Sequence, residues 1–215
     1  AYQAALQGKP LIQPPASPTW TTLPSLDAPL VGRDEVLRRL THACERAKSG
    51  EGQVILISGE PGIGKSRLMQ DFIFGQGSQV TVVVGSGHEA EQGLPYWPLI
   101  EGLRPHVPLV DWTELDIEPL YLAEVARILP ELRARLPNLP TPLPVEAGQG
   151  QGYLFQALAH WFEKWAAPRP PLILCLDELH WADETTLAWL GYLSRRIKRA
   201  PILVLGAYRA EEAQA

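Results

Sequence analysis

Apolar residues recur along the chain with two alternating periods. Between residues 33 and 47 they follow the spacing of one helical face,. Short apolar runs at 53–58, 80–84, 172–176 and 202–205 instead predict buried strands,. Further helical patterns start near Lys65 and after Asp183, a residue type that caps helices. This alternation of strands and helices predicts an α/β fold with a mainly parallel sheet.

Two stretches are rich in proline. Residues 1–29 combine proline with Ser, Thr and Gln, which predicts an extended linker or the end of a preceding domain,. Residues 95–145 are interpreted as a helical insert with helices near Trp97–Arg104 and Pro119–Leu129. A further helix has one apolar face, which we predict to be core: Leu154, Leu158, Trp161, Phe162 and Trp165,.

Composition narrows the choice of partners. The net charge is -5 and no run of Lys or Arg stands out, which disfavours direct nucleic-acid binding by this segment,. No stretch approaches the ~18 consecutive apolar residues of a membrane span,. The two cysteines, Cys44 and Cys175, cannot form a disulfide framework,. We therefore expect a cytoplasmic protein that binds neither nucleic acid nor membrane directly.

The turn after the first strand carries the strongest chemical signal. Its sequence Gly59-Glu60-Pro61-Gly62-Ile63-Gly64-Lys65-Ser66 matches the phosphate-binding loop Gly-x-x-x-x-Gly-Lys-Ser,. Glycines let successive amides point at phosphate oxygens, and the following helix adds its positive N-terminal end. Lys65 is predicted to reach the β- and γ-phosphates, and Ser66 to ligate Mg²⁺. ATP or ADP is therefore the expected ligand, with Arg67 completing the candidate site.

An acidic pair, Asp177-Glu178, ends the third strand. In a chain that also has a phosphate-binding loop, an acid at a strand end is expected near the metal ion. We assign Asp177 to the Mg²⁺ shell and Glu178 to orienting and deprotonating a water. His180 is interpreted as a packing or supporting residue, because Glu178 already fills the role of base.

The run Leu176-Asp177-Glu178-Leu179-His180-Trp181-Ala182-Asp183 resembles the extended Walker B motif of signal-transduction ATPases with numerous domains. More narrowly, it is similar to the ATPase region of large bacterial transcriptional regulators. Three other segments resemble family motifs: Leu30-Val31-Gly32-Arg33-Asp34-Glu35, Pro95-Tyr96-Trp97-Pro98-Leu99 and Leu205-Gly206-Ala207-Tyr208-Arg209. The resemblance implies that Gly32 and Arg33 lie near the adenine and that Arg209 senses the γ-phosphate.

The resemblance also implies an architecture. It implies a three-layer AAA-like P-loop domain over residues 30–215, with the Arg209 strand between the P-loop strand and the Walker B strand. In this family a further strand and a helical lid follow, so we expect the chain to be a piece that stops before them. Residues 1–29 or a second copy of the chain are then expected to cover the free edge of the P-loop strand.

The function implied is an ATP-hydrolysing regulatory switch, with other domains of a parent protein as partners and self-association as a further option. One alternative is a scaffold that binds ATP or ADP with negligible turnover, which the missing lid favours. A P-loop small-molecule kinase is a weaker alternative, because a water-activating Glu178 serves hydrolysis and no acceptor site is visible.

Overall fold

The computed structural model describes residues 32–77, 80–112, 114–142, 144, 149–168 and 171–211. The predicted linker at residues 1–29 lies outside this part of the chain. The strands are β1 (Gln53–Ser58), β2 (Thr81–Ser86), β3 (Leu172–Asp177) and β4 (Ile202–Tyr208). The α-helices are α1 (Asp34–Lys48), α2 (Lys65–Gln76), α3 (Trp97–Leu103), α4 (Pro119–Val125), α5 (Glu131–Arg135), α6 (Gln149–Ala166) and α7 (Glu184–Arg196).

The four strands form one all-parallel sheet in the order β1-β4-β3-β2. The α/β fold is thereby confirmed, and so is the position of β4 between β1 and β3. The register pairs Ser58 with Tyr208 and Ser86 with Asp177, so the carboxyl ends of the strands lie at the same end of the sheet. The loops that follow the carboxyl ends of β1, β3 and β4 therefore emerge side by side, where open α/β sheets bind their ligands.

Helices pack on both faces of the sheet and make it the middle of three layers. On one face, α1 and α2 pack over the odd-numbered positions of β3 and β4, including Ile173, Cys175 and Leu205. On the other face, α3, α4, α6 and α7 bury a larger cluster around Trp161, which is fully buried. The residues 172–177 are all buried, which explains their near-continuous apolar sequence,.

The proline-rich stretch folds as short helices, in agreement with the predicted helical insert. The first of them, α3, occupies nearly the predicted range, while α4 ends at Val125 and is followed by turns rather than helix up to Leu129. Strand β2 extends to Ser86, two residues past its predicted end. The extension includes Gly85, which lies so close to α3 that a side chain would overlap the carbonyl oxygen of Pro98,.

Candidate functional site

The loop between β1 and α2 is shaped by glycines in the left-handed region. Gly62 has φ 75° and Gly64, the residue just before α2, has φ 95°, conformations that other residues adopt at a cost,. Gly59 leaves little room for a side chain, because a Cβ there would lie 3.1 Å from Cγ2 of Ile63. The glycine positions of the sequence motif thus coincide with the points at which the backbone curls.

Lys65 spans this loop from the first turn of α2. Its side chain is almost fully buried, and Nζ donates hydrogen bonds to the carbonyl oxygens of Gly59 at 2.9 Å and Glu60 at 3.0 Å. An ammonium group has three N–H donors, so these two bonds fix its position and leave a third donor for a phosphate oxygen. The ammonium group therefore joins the first two residues of the loop to the start of α2.

Arg33 joins the start of α1 to the same loop. Its Nη2 donates to the carbonyl oxygen of Ile63 at 2.9 Å, and Gly32 before it takes the left-handed φ of 74°. The structure therefore brings the two predicted motifs together through a direct contact. Arg67 lies one turn into α2, where its Nε is 3.7 Å from Oδ2 of Asp71.

Asp177 lies beside Ser66 at the end of β3. Burial raises the pKa of the Asp177 carboxyl, although a hydrogen bond from Ser66, another from the backbone N–H of Glu178 and the charge of Lys65 act in the opposite direction. A hydroxyl and a carboxylate side by side are hard oxygen ligands of the kind that Mg²⁺ takes, so the pair fits this ion. Within the residues that the structure describes, no group of three or more His, Cys, Asp or Glu surrounds one metal position. Nucleotide phosphates and water would have to supply the other ligands.

Glu178 is turned toward two nitrogen-bearing side chains. Its Oε2 lies 3.0 Å from Nε2 of His180 and 3.2 Å from Nη2 of Arg209. The backbone of Glu178 is left-handed, with φ 48°, an uncommon conformation for a residue with a Cβ,. The sequence predicts a carboxylate that acts on water, and in the structure its Oε2 lies between His180 and Arg209.

Three contacts near the carboxyl ends of the strands were not predicted from the sequence. The backbone N–H of Tyr96 donates to Oδ2 of Asp183 at 3.0 Å, which ties the aromatic-proline segment to the cap of α7. The N–H of Ser86 donates to Oε2 of Glu101 at 2.8 Å, and Oε1 of Glu101 lies 3.7 Å from Nε2 of His88. Glu101 gave no signal in the sequence, because a single acid on a short helix is common.

In this parallel sheet a glycine-lysine loop follows β1, an acidic pair lies at the end of β3, and β4 lies between these two strands. This arrangement defines the class of P-loop nucleotide-binding proteins. The family model described as the AAA ATPase domain matches residues 29–205, and the chain belongs to this family of nucleotide-binding ATPases. No curated protein matches the chain significantly. Among the described helices, none has both the length and the apolar character that crossing a bilayer demands.

Proposed function

We propose that this chain binds ATP at the loop 59–66 and hydrolyses it, and that it serves as a switch within a larger regulatory protein. The proposal rests on one observation: Lys65, Asp177 and Glu178 lie together at the carboxyl ends of the strands, and Arg209 contacts Glu178. Lys65 begins the helix after β1, Asp177 and Glu178 lie at the end of β3, and Arg209 follows β4.

Phosphate binding is assigned to the loop and its lysine. The backbone N–H groups of residues 59–66, except Pro61, which has none, and the N-terminal end of α2 are assigned to the phosphates, and Lys65 donates to the phosphate oxygens. Ser66 and Asp177 would hold Mg²⁺, which neutralises phosphate charge when it is bound. Arg33 donates a hydrogen bond to the carbonyl oxygen of Ile63 in the loop. The resemblance of residues 30–35 to a family motif assigns Arg33 to the neighbourhood of the adenine. ADP would use the same contacts except those to the terminal phosphate.

Hydrolysis is assigned to Glu178. A water oxygen forms a bond to the γ-phosphorus while the bond to the β–γ bridging oxygen breaks, and ADP leaves with that electron pair. Glu178 orients the water and accepts its proton. Arg209 is assigned to the charge that spreads over the terminal phosphate oxygens. Each part therefore has one role in a balanced reaction of ATP and water to ADP, phosphate and a proton.

The regulatory role rests on the resemblance of residues 176–183 to the extended Walker B motif of signal-transduction ATPases. In such a role, ATP binding would order the segments that touch the terminal phosphate, and hydrolysis would release them. We propose that the partners are other domains of a cytoplasmic parent protein, with self-association as a second option, and that the domain extends over residues 30–215.

The test is a single-turnover assay with γ-labelled ATP, with the chain in excess and with or without Mg²⁺. We expect saturable binding and Mg²⁺-dependent release of labelled phosphate. Binding with no release above the rate of free ATP would reject hydrolysis and favour the nucleotide-dependent scaffold. The contacts of Glu178 with Arg209 and His180 are the observation that makes this second function worth testing.

A further inference from the structure

His180 and Arg209 contact the same oxygen of Glu178 from different environments. The side chain of His180 has no solvent exposure, whereas the side chains of Glu178 and Arg209 are 28% and 29% exposed. Neither contact meets the geometry of an aligned hydrogen bond, although both nitrogens lie within 3.2 Å of Oε2. Catalytic contacts in nucleotide-free proteins are often misaligned in this way and tighten when the substrate binds.

His180 is held in place by the turn that carries it. Residues Leu179–Trp181 form a single 3₁₀ turn, closed by a 2.9 Å bond from the N–H of Trp181 to the carbonyl oxygen of Glu178. Gly87, which follows β2, packs closely on this turn, since a Cβ at Gly87 would lie 2.5 Å from the carbonyl oxygen of Glu178 and 3.1 Å from Cβ of Trp181. The imidazole also lies against the Trp181 ring, with centroids 5.1 Å apart. The turn and the neighbouring Trp181 ring therefore restrict the imidazole to a position beside Glu178.

Arg209 occupies a different position relative to the phosphate loop. It follows Tyr208, which pairs with Ser58, so it lies at the level of Gly59, the first residue of the loop. A terminal phosphate bound there would bring a greater negative charge to Arg209 than the single charge of Glu178. In the ATP-bound state assigned above, Arg209 faces phosphate and can no longer hold Glu178. His180 is then the contact that remains.

We propose that His180 is the positioning residue of the hydrolytic base: its Nε2–H holds Oε2 of Glu178 once Arg209 has turned to the terminal phosphate. This inference rests on the proposed hydrolysis by Glu178. His180 touches neither nucleotide nor water, and it acts only through the carboxylate. The contact leaves Oε1 to accept the proton of the attacking water, and the buried ring keeps the carboxylate from rotating away.

The test compares His180→Gln, whose amide nitrogen can stand where Nε2 stood, with His180→Leu, which has no donor. We expect His180→Leu to lower kcat about 10- to 100-fold, the range typical of lost supporting contacts, with little change in KM or in the dissociation constant of ATP. His180→Gln should retain about tenfold more turnover than His180→Leu. His160→Leu is the matched control, because it removes another histidine–glutamate contact, 3.2 Å to Glu118, and should leave kcat unchanged.

A double-mutant cycle with Glu178→Gln separates positioning from general loss of structure. If His180 acts through Glu178, adding His180→Leu to Glu178→Gln produces no further loss of kcat. Independent, multiplying losses, or equal rates for both His180 variants and the wild type, would overturn the inference while leaving the proposed function intact. Absence of turnover in the wild type would overturn both. Should His180→Leu fail to fold, His180→Asn, which moves the donor away from the Nε2 position, replaces it in the same cycle.

Discussion

At the scale of single residues, the site contains two buried charged side chains, and each makes hydrogen bonds to neighbouring groups. Lys65 and Asp177 are 7% and 5% exposed, and each has named partners: loop carbonyl oxygens for the ammonium, Ser66 and a backbone N–H for the carboxylate. Buried charges are tolerated only when they are paired and hydrogen-bonded. Burial raises the pKa of Asp177, because it disfavours the charged form of the carboxyl,. Carboxyl groups with a pKa shifted by burial are concentrated at functional sites.

Glu178→Gln is expected to preserve ATP binding and to slow hydrolysis by ~10²-fold or more, because an amide keeps the size of the side chain but cannot accept the proton of water. The measurement is single-turnover phosphate release, with the ATP dissociation constant taken from calorimetry. Glu118→Gln, which alters the exposed partner of His160, is the control. Hydrolysis at the wild-type rate in Glu178→Gln would assign the base to another residue.

At the scale of elements, the cap of α7 links two motifs. Asp183 accepts from the N–H of Thr186 at 3.0 Å, from the N–H of Tyr96 at 3.0 Å and from the hydroxyls of Thr185 and Thr186. Burial alone would raise the pKa of Asp183, but these hydrogen bonds outweigh it and hold the pKa below its ordinary 3.8. The cap therefore contributes more to stability when its carboxyl is ionised.

The pH dependence of stability tests this cap. A depressed carboxyl pKa contributes stability that is fully present above the ordinary value and is lost as the pH falls through the value in the folded state. Asp183→Asn should therefore lower the free energy of unfolding by ~1–3 kcal/mol near neutral pH, and the difference from wild type should shrink below about pH 4. Urea unfolding between pH 7 and pH 3 measures it. A difference that stays constant over this range would show that the ionised carboxyl is not the stabilising form.

The packing of α3 on β2 depends on a missing side chain. A Cβ at Gly85 would overlap the oxygen of Pro98 and lie 2.8 Å from its carbonyl carbon, both backbone atoms that cannot rotate away. Gly85→Ala should therefore cost ~1–3 kcal/mol or more in the free energy of unfolding. Gly191→Ala in α7 is the matched control, since nothing lies within 4 Å of its Cβ position. That change should be stabilising by about 0.5–1 kcal/mol; equal effects of the two substitutions in urea unfolding would contradict the close packing.

Elements with a local signal were predictable from the sequence, and contacts that join distant residues were not. The bounds of β1 and the phosphate loop follow from an apolar run that ends in a glycine turn, and both match the structure. Strand β2 is predicted over the β-branched residues 80–84, but it runs from Thr81 to Ser86,. It includes Gly85, whose missing side chain admits α3. The bond between Tyr96 and Asp183 spans 87 residues, and no local pattern encodes it. The contact of Glu178 Oε2 with Nη2 of Arg209, a residue that follows another strand, is likewise not encoded locally.

At the scale of the whole molecule, the sheet has one edge at the phosphate loop strand. Among the described residues, no strand pairs with the outer side of β1. Val54 and Leu56, which point to one face of β1, are 42% and 59% exposed, so this face of the strand is also partly uncovered. Proteins rarely leave an apolar strand edge open. We expect residues 1–29 or a second copy of the chain to cover this edge. Residues 1–29 and a second copy both lie outside the described residues, so this expectation stays a prediction.

Hydrogen exchange at β1 distinguishes the possible covers of this edge. Protection of the outward amides of β1, those not paired with β4, that is independent of protein concentration would indicate a cover from the same chain. Protection that rises with concentration, together with a larger mass by light scattering, would indicate a second copy. Rapid exchange of the outward amides of β1 at every concentration would show that the edge is open and that the prediction is wrong.

The central claim is that the loop 59–66 binds ATP through Lys65, and calorimetric titration of Mg²⁺ and ATP into the wild type and Lys65→Ala tests it most directly. Loss of a charge-assisted contact worth ~1.5–3 kcal/mol predicts that the variant binds about 10- to 150-fold more weakly while it remains folded. Lys164→Ala, which removes an ammonium paired with Asp116 on the helical insert, should bind like the wild type. Equal ATP affinity in the wild type and a folded Lys65→Ala would contradict the assignment of the phosphate loop.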